Sequence, residues 1–255
     1  MKNWDIKIYR GILTGYNEAF IINQETRDKL VAASSKNEEI IRPILRGRDI
    51  QKYNADWQNL FIISTFPSLK IDIEQYPEIK KHLLSFGIDR LKQTGDSGAR
   101  KKTNNQWFEV QDSISYWEDF FRPKIIFPNM TKFMPFFYDC DGYFINDKGF
   151  IITGHNIAFL TAFLNSSLFK FCFKESFPEL QGGTRELRKI FFDKIPVIEI
   201  TKEQNQIFER KIIEIQKLKT TKKDTLLLEK ELDELIFDLY NLTSEERLSI
   251  GFIVI

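Results

Sequence analysis

A chain of 255 residues is long enough for one large hydrophobic core or two small ones. With 42% hydrophobic and 29% charged residues it reads as an ordinary soluble protein, and a net charge of +1 excludes a polycation, so any anion-binding face must be local. Two cysteines (Cys140, Cys172) cannot build a disulfide framework, and two histidines (His82, His155) without a CxxC argue against structural zinc. There is no signal peptide and no run of about eighteen apolar residues, so neither secretion nor membrane spanning is expected, and a cytoplasmic location is.

The first ninety residues read as mixed α/β. Ile6, Ile8, Gly11 and Leu13 lie in a strand-like segment, with Glu18 to Ile22 as its return and Thr14-Gly15-Tyr16-Asn17 as the joining turn. Asn23 can cap the next helix, Glu25 complements its dipole, and the helix should end near Ser34-Ser35. Leu60-Phe61-Ile62-Ile63 predicts a buried strand, and Pro77 opens a helix through Ile79, Leu83 and Leu84 toward Leu91. From Gln106 to Thr153 the pattern turns to short strands. Pro123 to Pro128 is one; Phe133 to Tyr138 and Tyr143 to Ile145 could pair around Asp141-Gly142. Asp147-Lys148-Gly149 makes a turn before Phe150-Ile151-Ile152, and an apolar helix follows over about 157–173. Gln181-Gly182-Gly183-Thr184-Arg185 is a loop, and Ile195-Pro196-Val197 closes the unit.

After Thr201 two helical patterns, about 202–219 and 224–240, combine apolar stripes with dense mixed charge. A linker at Thr220 to Lys223 predicts an antiparallel helical hairpin, and Thr243-x-x-Glu246 is a capping box for a last short helix. The fold class is therefore mixed α+β over residues 1–200, followed by a helical hairpin or arm over 201–255.

Certain strings, taken in order, resemble a known family. They are Gly11-Ile12-x-Thr14-Gly15-x-Asn17-x-Ala19-Phe20, Ile44 to Ile50 (Ile-Leu-Arg-Gly-Arg-Asp-Ile), Arg122 to Ile126, Leu164-Asn165-Ser166, Gly182-Gly183, and Leu232 to Glu246. Together they are similar to the TaqI-like C-terminal specificity domain of type IIG restriction-modification enzymes and adenine-N6 DNA methyltransferases. The resemblance implies a module that recognises double-stranded DNA in a bacterial cytoplasm and positions a methyltransferase or endonuclease module of the same or a partner chain. It also implies that S-adenosylmethionine and Mg²⁺ serve those catalytic modules, with no cofactor in this chain. The glycine-rich cofactor loop and Asn-Pro-Pro-Tyr motif of such methyltransferases are absent from the sequence. Pro77-Glu78-Ile79-Lys80 is the nearest nuclease-like string, but Glu78 and Lys80 open a helix and read as a solvated first turn.

A DNA reader needs phosphate anchors first. Lys80 to Lys102 holds seven Lys or Arg against two acids, so Arg90, Lys92, Arg100, Lys101 and Lys102 are candidate phosphate contacts, otherwise a solvated loop. Arg46 and Arg48 flank Gly47 and could grip phosphate, or one of them could pair with Asp49 and pin the loop. Base readout is expected from polar segments beside the anchors: Asn104 and Asn105, then Asn129, Thr131 and Lys132, then Gln181 and Arg185 beside a glycine pair that admits close backbone approach. His155 reads as a helix-entry residue. No catalytic or metal-binding residues are assigned. The rival reading is a protein-interaction scaffold whose helical hairpin drives oligomerisation, favoured by the near-neutral charge.

Overall fold

The computed structural model describes residues 1–2 and 4–253. The chain opens with β1 (Ile6–Arg10), one helical turn α1 (Asn17–Phe20), β2 (Ile21–Asn23) and α2 (Gln24–Ala33). The Asn23 carboxamide caps α2 by accepting from the Thr26 amide at 2.9 Å, and Ser34, in extended conformation, ends it. Next come β3 (Ile41–Leu45), β4 (Ile50–Gln51), β5 (Asn54–Ala55) and the buried β6 (Leu60–Ile63), which pairs antiparallel with both β2 and β3. Helix α3 (Pro77–Leu84) starts at its proline and stops short of Leu91; Gly87, at φ +86°, separates it from α4 (Ile88–Leu91).

The expected hairpin between residues 6–13 and 18–22 does not form. Thr14 donates its hydroxyl to Asn17 Oδ1 and accepts from the Tyr16 amide, which winds the chain into α1 and sends Ala19 and Phe20 into the core. The end of the first strand is committed elsewhere: the Gly11 and Ile12 amides donate to the carbonyls of Gly149 and Ile145.

The second half supplies β7 (Lys124–Pro128), β8 (Met130–Thr131), β9 (Phe137–Asp139), β10 (Phe144–Ile145) and β11 (Gly149–Gly154). One antiparallel sheet runs β1-β11-β7-β9; another runs β10-β3-β6-β2, with β10 parallel to β3. Gly142 does adopt positive φ, yet β9 and β10 join different sheets. The cause is Asp139, whose buried carboxylate accepts the amides of Asp141 and Tyr143 and the Lys124 ammonium, turning the chain away. The apolar helix is broken into α5 (Ile157–Asn165) and α6 (Ser167–Phe173), bent by 65°. Ser166 makes the break: its hydroxyl donates to the Phe163 carbonyl and caps the Phe169 amide. No single helix among the described residues is long and apolar enough to cross a membrane.

The chain continues with β12 (Arg185–Glu186), which pairs with β8, then α7 (Lys189–Phe192), α8 (Lys202–Thr220), α9 (Leu226–Leu239) and α10 (Ser244–Ile250). Reciprocal capping boxes at Thr201/Gln204 and Thr243/Glu246 open α8 and α10.

The sheet β1-β11-β7-β9 separates two cores. Ile126, Phe137 and Ile151 point into one, with β3, β6 and α3; their neighbours Ile125, Phe127, Tyr138 and Ile152 point into the other, with α5 and α6. Burial on both faces is why these strands read as unbroken apolar runs rather than alternating ones. Phe208, Ile212, Ile215, Leu232, Ile236 and Phe237 of α8 and α9 fill the second core. The second core is thus shared across residue 200, by α5 and α6 before it and α8 and α9 after it.

Candidate nucleic-acid interface

The two glycine-bearing motifs meet at one turn. A Cβ on Gly11 would stand 2.0 Å from the Asn146 carbonyl oxygen, and one on Gly47 would stand 2.4 Å from that of Lys148. Both glycines are thus required by close backbone approach, and they hold the Asn146–Lys148 turn from two sides. The Asn146 amide completes the grip by donating to the Leu45 carbonyl at 3.1 Å.

Beside this turn lies a cleft of about 590 Å³, lined by Asn17, Arg46, Arg48, Lys148 and the stretch from Pro128 through Thr131 to Phe133 and Pro135. Its walls carry three cationic side chains and no carboxylate, in a chain that has 36 Asp and Glu. The nearest acids lie behind the rim. Buried Asp49 takes a two-pronged bond from the Arg46 guanidinium at 3.0 and 2.8 Å, and Asp147 meets Lys148 at 3.0 Å. Arg46 is therefore pinned to the fold, whereas Arg48 is exposed and pairs with no carboxylate among the described residues. A larger cleft of about 960 Å³ at the other end of β11 mixes Asp5, Asp119 and Glu209 with Lys7, Arg122 and Lys202, and has no such sign preference.

The base-readout candidates 129–132 and 181–185 come together through the pairing of β8 with β12, which sets Thr131 opposite Arg185. Asn129 is fixed at both backbone groups, its amide donating to Lys148 and its carbonyl accepting from Leu187. Thr131 uses its hydroxyl oxygen to accept from the Phe133 amide, and Lys132 is exposed beside it. Gln181 is exposed on a short turn in which Gly182 and Gly183 take φ of +73° and +78° with open space around them. Arg185 is different: it is 3% exposed, donates to the Phe177 carbonyl and pairs with Glu175 and Glu179. It cross-links its own loop and does not face a ligand.

The basic stretch divides in the same way. Arg100 is 2% exposed, and its guanidinium donates to the carbonyls of Thr14, Leu91, Trp107 and Glu109. Burial, followed by the nearby Arg90 charge, pulls its pKa down to about 10, with Glu109 opposing. It is a structural pin, not a phosphate anchor. Asn105 likewise directs its amide into the carbonyls of Val110 and Gln111. Lys101, Lys102 and Asn104 are exposed; Lys92 is exposed but pairs with Asp89. Arg90 lies 4.3 Å over the Tyr16 ring, one residue from Asn17 in the cleft wall, so the Thr14–Asn17 turn joins the basic loop to the cleft. Lys148, Met130 and Phe133 line the cleft without having been singled out from sequence. The Asp147-Lys148-Gly149 turn placed Lys148 in a loop but gave no sign of its neighbour, Gly47.

A mixed α/β body that presents polar loops around an acid-free cleft has the build of a recognition domain. Residues 42–197 match the profile described as the TaqI-like C-terminal specificity domain, and the chain belongs to that family. Among solved structures it is similar to the type IIL restriction-modification enzyme MmeI in complex with DNA, with TM-score 0.61 and 10% identity over 96% of this chain and 35% of that one. It is also similar to the type IIG restriction endonuclease BpuSI, with TM-score 0.53 and 16% identity over 92% of this chain and 30% of the other. At these identities the likeness is one of fold, and this chain spans about a third of the length of each. No curated protein matches the chain.

Proposed function

We propose that the chain reads double-stranded DNA on the face formed by the cleft and the basic loop, and positions a separate adenine-N6 methyltransferase module, with or without an endonuclease, as in a type IIG system. The acid-free cationic cleft carries this reading, because phosphate neutralisation is the first requirement of a DNA reader. Arg48, Lys132, Lys101 and Lys102 serve as phosphate anchors. Asn129, Thr131 and Gln181 would meet base edges, and Asn17 lines the same cleft as Asn129 and Thr131. Family membership and the DNA-bound state of the MmeI structure support it.

S-adenosylmethionine and Mg²⁺ would belong to the catalytic modules. This chain's sequence carries neither the glycine-rich loop nor the Asn-Pro-Pro-Tyr string of such modules. The oligomerisation reading loses support, since Phe208, Ile212 and Ile215 of α8 and Leu232, Ile236 and Phe237 of α9 are buried in the second core.

Fluorescence anisotropy with a random duplex of about 30 base pairs, between about 50 and 200 mM salt, tests the proposal. Binding should weaken steeply with salt, and replacing Arg48 and Lys132 together by Ala should lower the log–log slope by about two. Absence of binding at low salt would return the chain to the scaffold reading.

A further inference from the structure

Two large apolar side chains stand at the mouth of the cleft: Phe133 is 63% exposed and Met130 is 50% exposed. A loop that merely lacked partners would be free to fold such a ring down onto apolar surface. Here the backbone holds it out. The Phe133 amide donates to Thr131 Oγ1 at 3.1 Å, and its carbonyl accepts from Nζ of the buried Lys170 at 3.1 Å. Met134, the next residue, is buried at φ +51°, a left-handed conformation that a non-glycine residue keeps only where its surroundings fix it. Beyond it the Phe136 backbone is locked by Asn165, which accepts from its amide at 3.1 Å and donates to its carbonyl at 2.7 Å. Exposed Lys132 immediately precedes the ring in the chain, and Arg48, Asn129 and Thr131 line the same cleft.

We propose that Phe133 is a wedge: its ring enters the base stack of duplex DNA lying on the cleft, with Met130 against the opened step. The proposal rests on the DNA-reading function above. A protein partner could also accept an exposed aromatic ring, but the acid-free walls and the cations beside it suit phosphates bracketing a base step. Opening a step costs the duplex stacking energy, offset by the ring's contact with two base faces. Phe133 is thus a positioning and specificity residue, favouring steps that open readily.

The test compares, by anisotropy with the whole chain, a random duplex of about 30 base pairs and the same duplex carrying one central abasic site, where the step is already open. The wild type should bind the abasic duplex about ten-fold more tightly. Phe133→Ala should lose that preference and Phe133→Leu keep part of it, while Lys132→Ala should weaken both duplexes equally and preserve the ratio. Because the ring is exposed, the melting temperature of Phe133→Ala should equal that of the wild type. Equal wild-type affinity for the two duplexes, or a preference surviving in Phe133→Ala, overturns the wedge and leaves DNA reading intact. Failure to bind either duplex overturns the reading itself.

Discussion

Lys170 carries its ammonium into the second core, where it sits 6% exposed. Burial first and the Lys52 charge next pull its pKa from a free lysine's 10.5 down to about 7, against the opposing carboxylates of Asp233 and Glu229. The sign follows from proton binding. Between about pH 7 and 10.5 the unfolded chain holds a proton that the folded chain has released, so this lysine makes folding more favourable as pH rises through that window. Below about pH 7 both states are protonated and its contribution is flat. Urea midpoints from pH 7 to 10 should therefore climb more steeply for the wild type than for Lys170→Met, by on the order of a few kcal/mol in total. Parallel curves for the two proteins would show that Lys170 titrates normally. Arg100 illustrates the same physics with no use for titration at ordinary pH. Its place in a basic stretch suggested a surface anchor, but nothing local to residues 90–102 shows that the carbonyls of Thr14, Trp107 and Glu109 converge on it. Buried arginines in loops carry no periodicity that would betray them.

The Asn146–Lys148 turn is the element on which the frame depends, because Gly11, just after β1, and Gly47, just after β3, press against it. Gly47→Ala would set a methyl 2.4 Å from a backbone oxygen that has no free rotor to yield. It should cost about 1–3 kcal/mol of stability, read as a fall in the urea midpoint with an unchanged slope. The glycines themselves were legible in the sequence, as were the Asn23 cap, the strand at 60–63, the proline start of α3 and the Thr243 capping box. Each of these is decided within a few residues. Strand partners were not legible: Thr14–Asn17 and Asp141-Gly142 look like hairpin turns, and the flanking strands nonetheless pair with distant ones. That choice is made by side chains such as Thr14 and Asp139, which bend the chain, and by where the apolar faces find cover. Of the candidate interface, the polar character of 129–132 and 181–185 was visible in the sequence, and their pairing as β8 and β12 was not. The inward turn of Arg185 was not, since its partners Glu175 and Glu179 look like ordinary surface acids.

At the scale of the whole molecule, one sheet serves two cores, and α8 and α9 close the second. A fragment ending at residue 200 would lose six buried apolar side chains, from Phe208 to Phe237, and uncover the face of the sheet that bears Ile125, Phe127 and Ile152. It should be aggregation-prone or molten, binding a hydrophobic dye and showing no cooperative melt, whereas the full chain should melt cooperatively. A cooperative melt of the fragment would show that the first core suffices.

The pairing of β8 with β12 has a different consequence. These two strands bond to each other and to neither four-stranded sheet, so the patch that bears Thr131, Lys132 and Gln181 is braced internally and is tied to the frame through Asn129, whose amide donates to Lys148. On the proposed DNA-reading function, such a patch would be an exchangeable cassette. Swapping the exposed residues of 129–132 and 181–184 for those of a relative should change which duplexes are recovered in a binding selection while leaving the melting temperature within a few degrees. Target preference could then drift in evolution without renegotiating the fold that presents it.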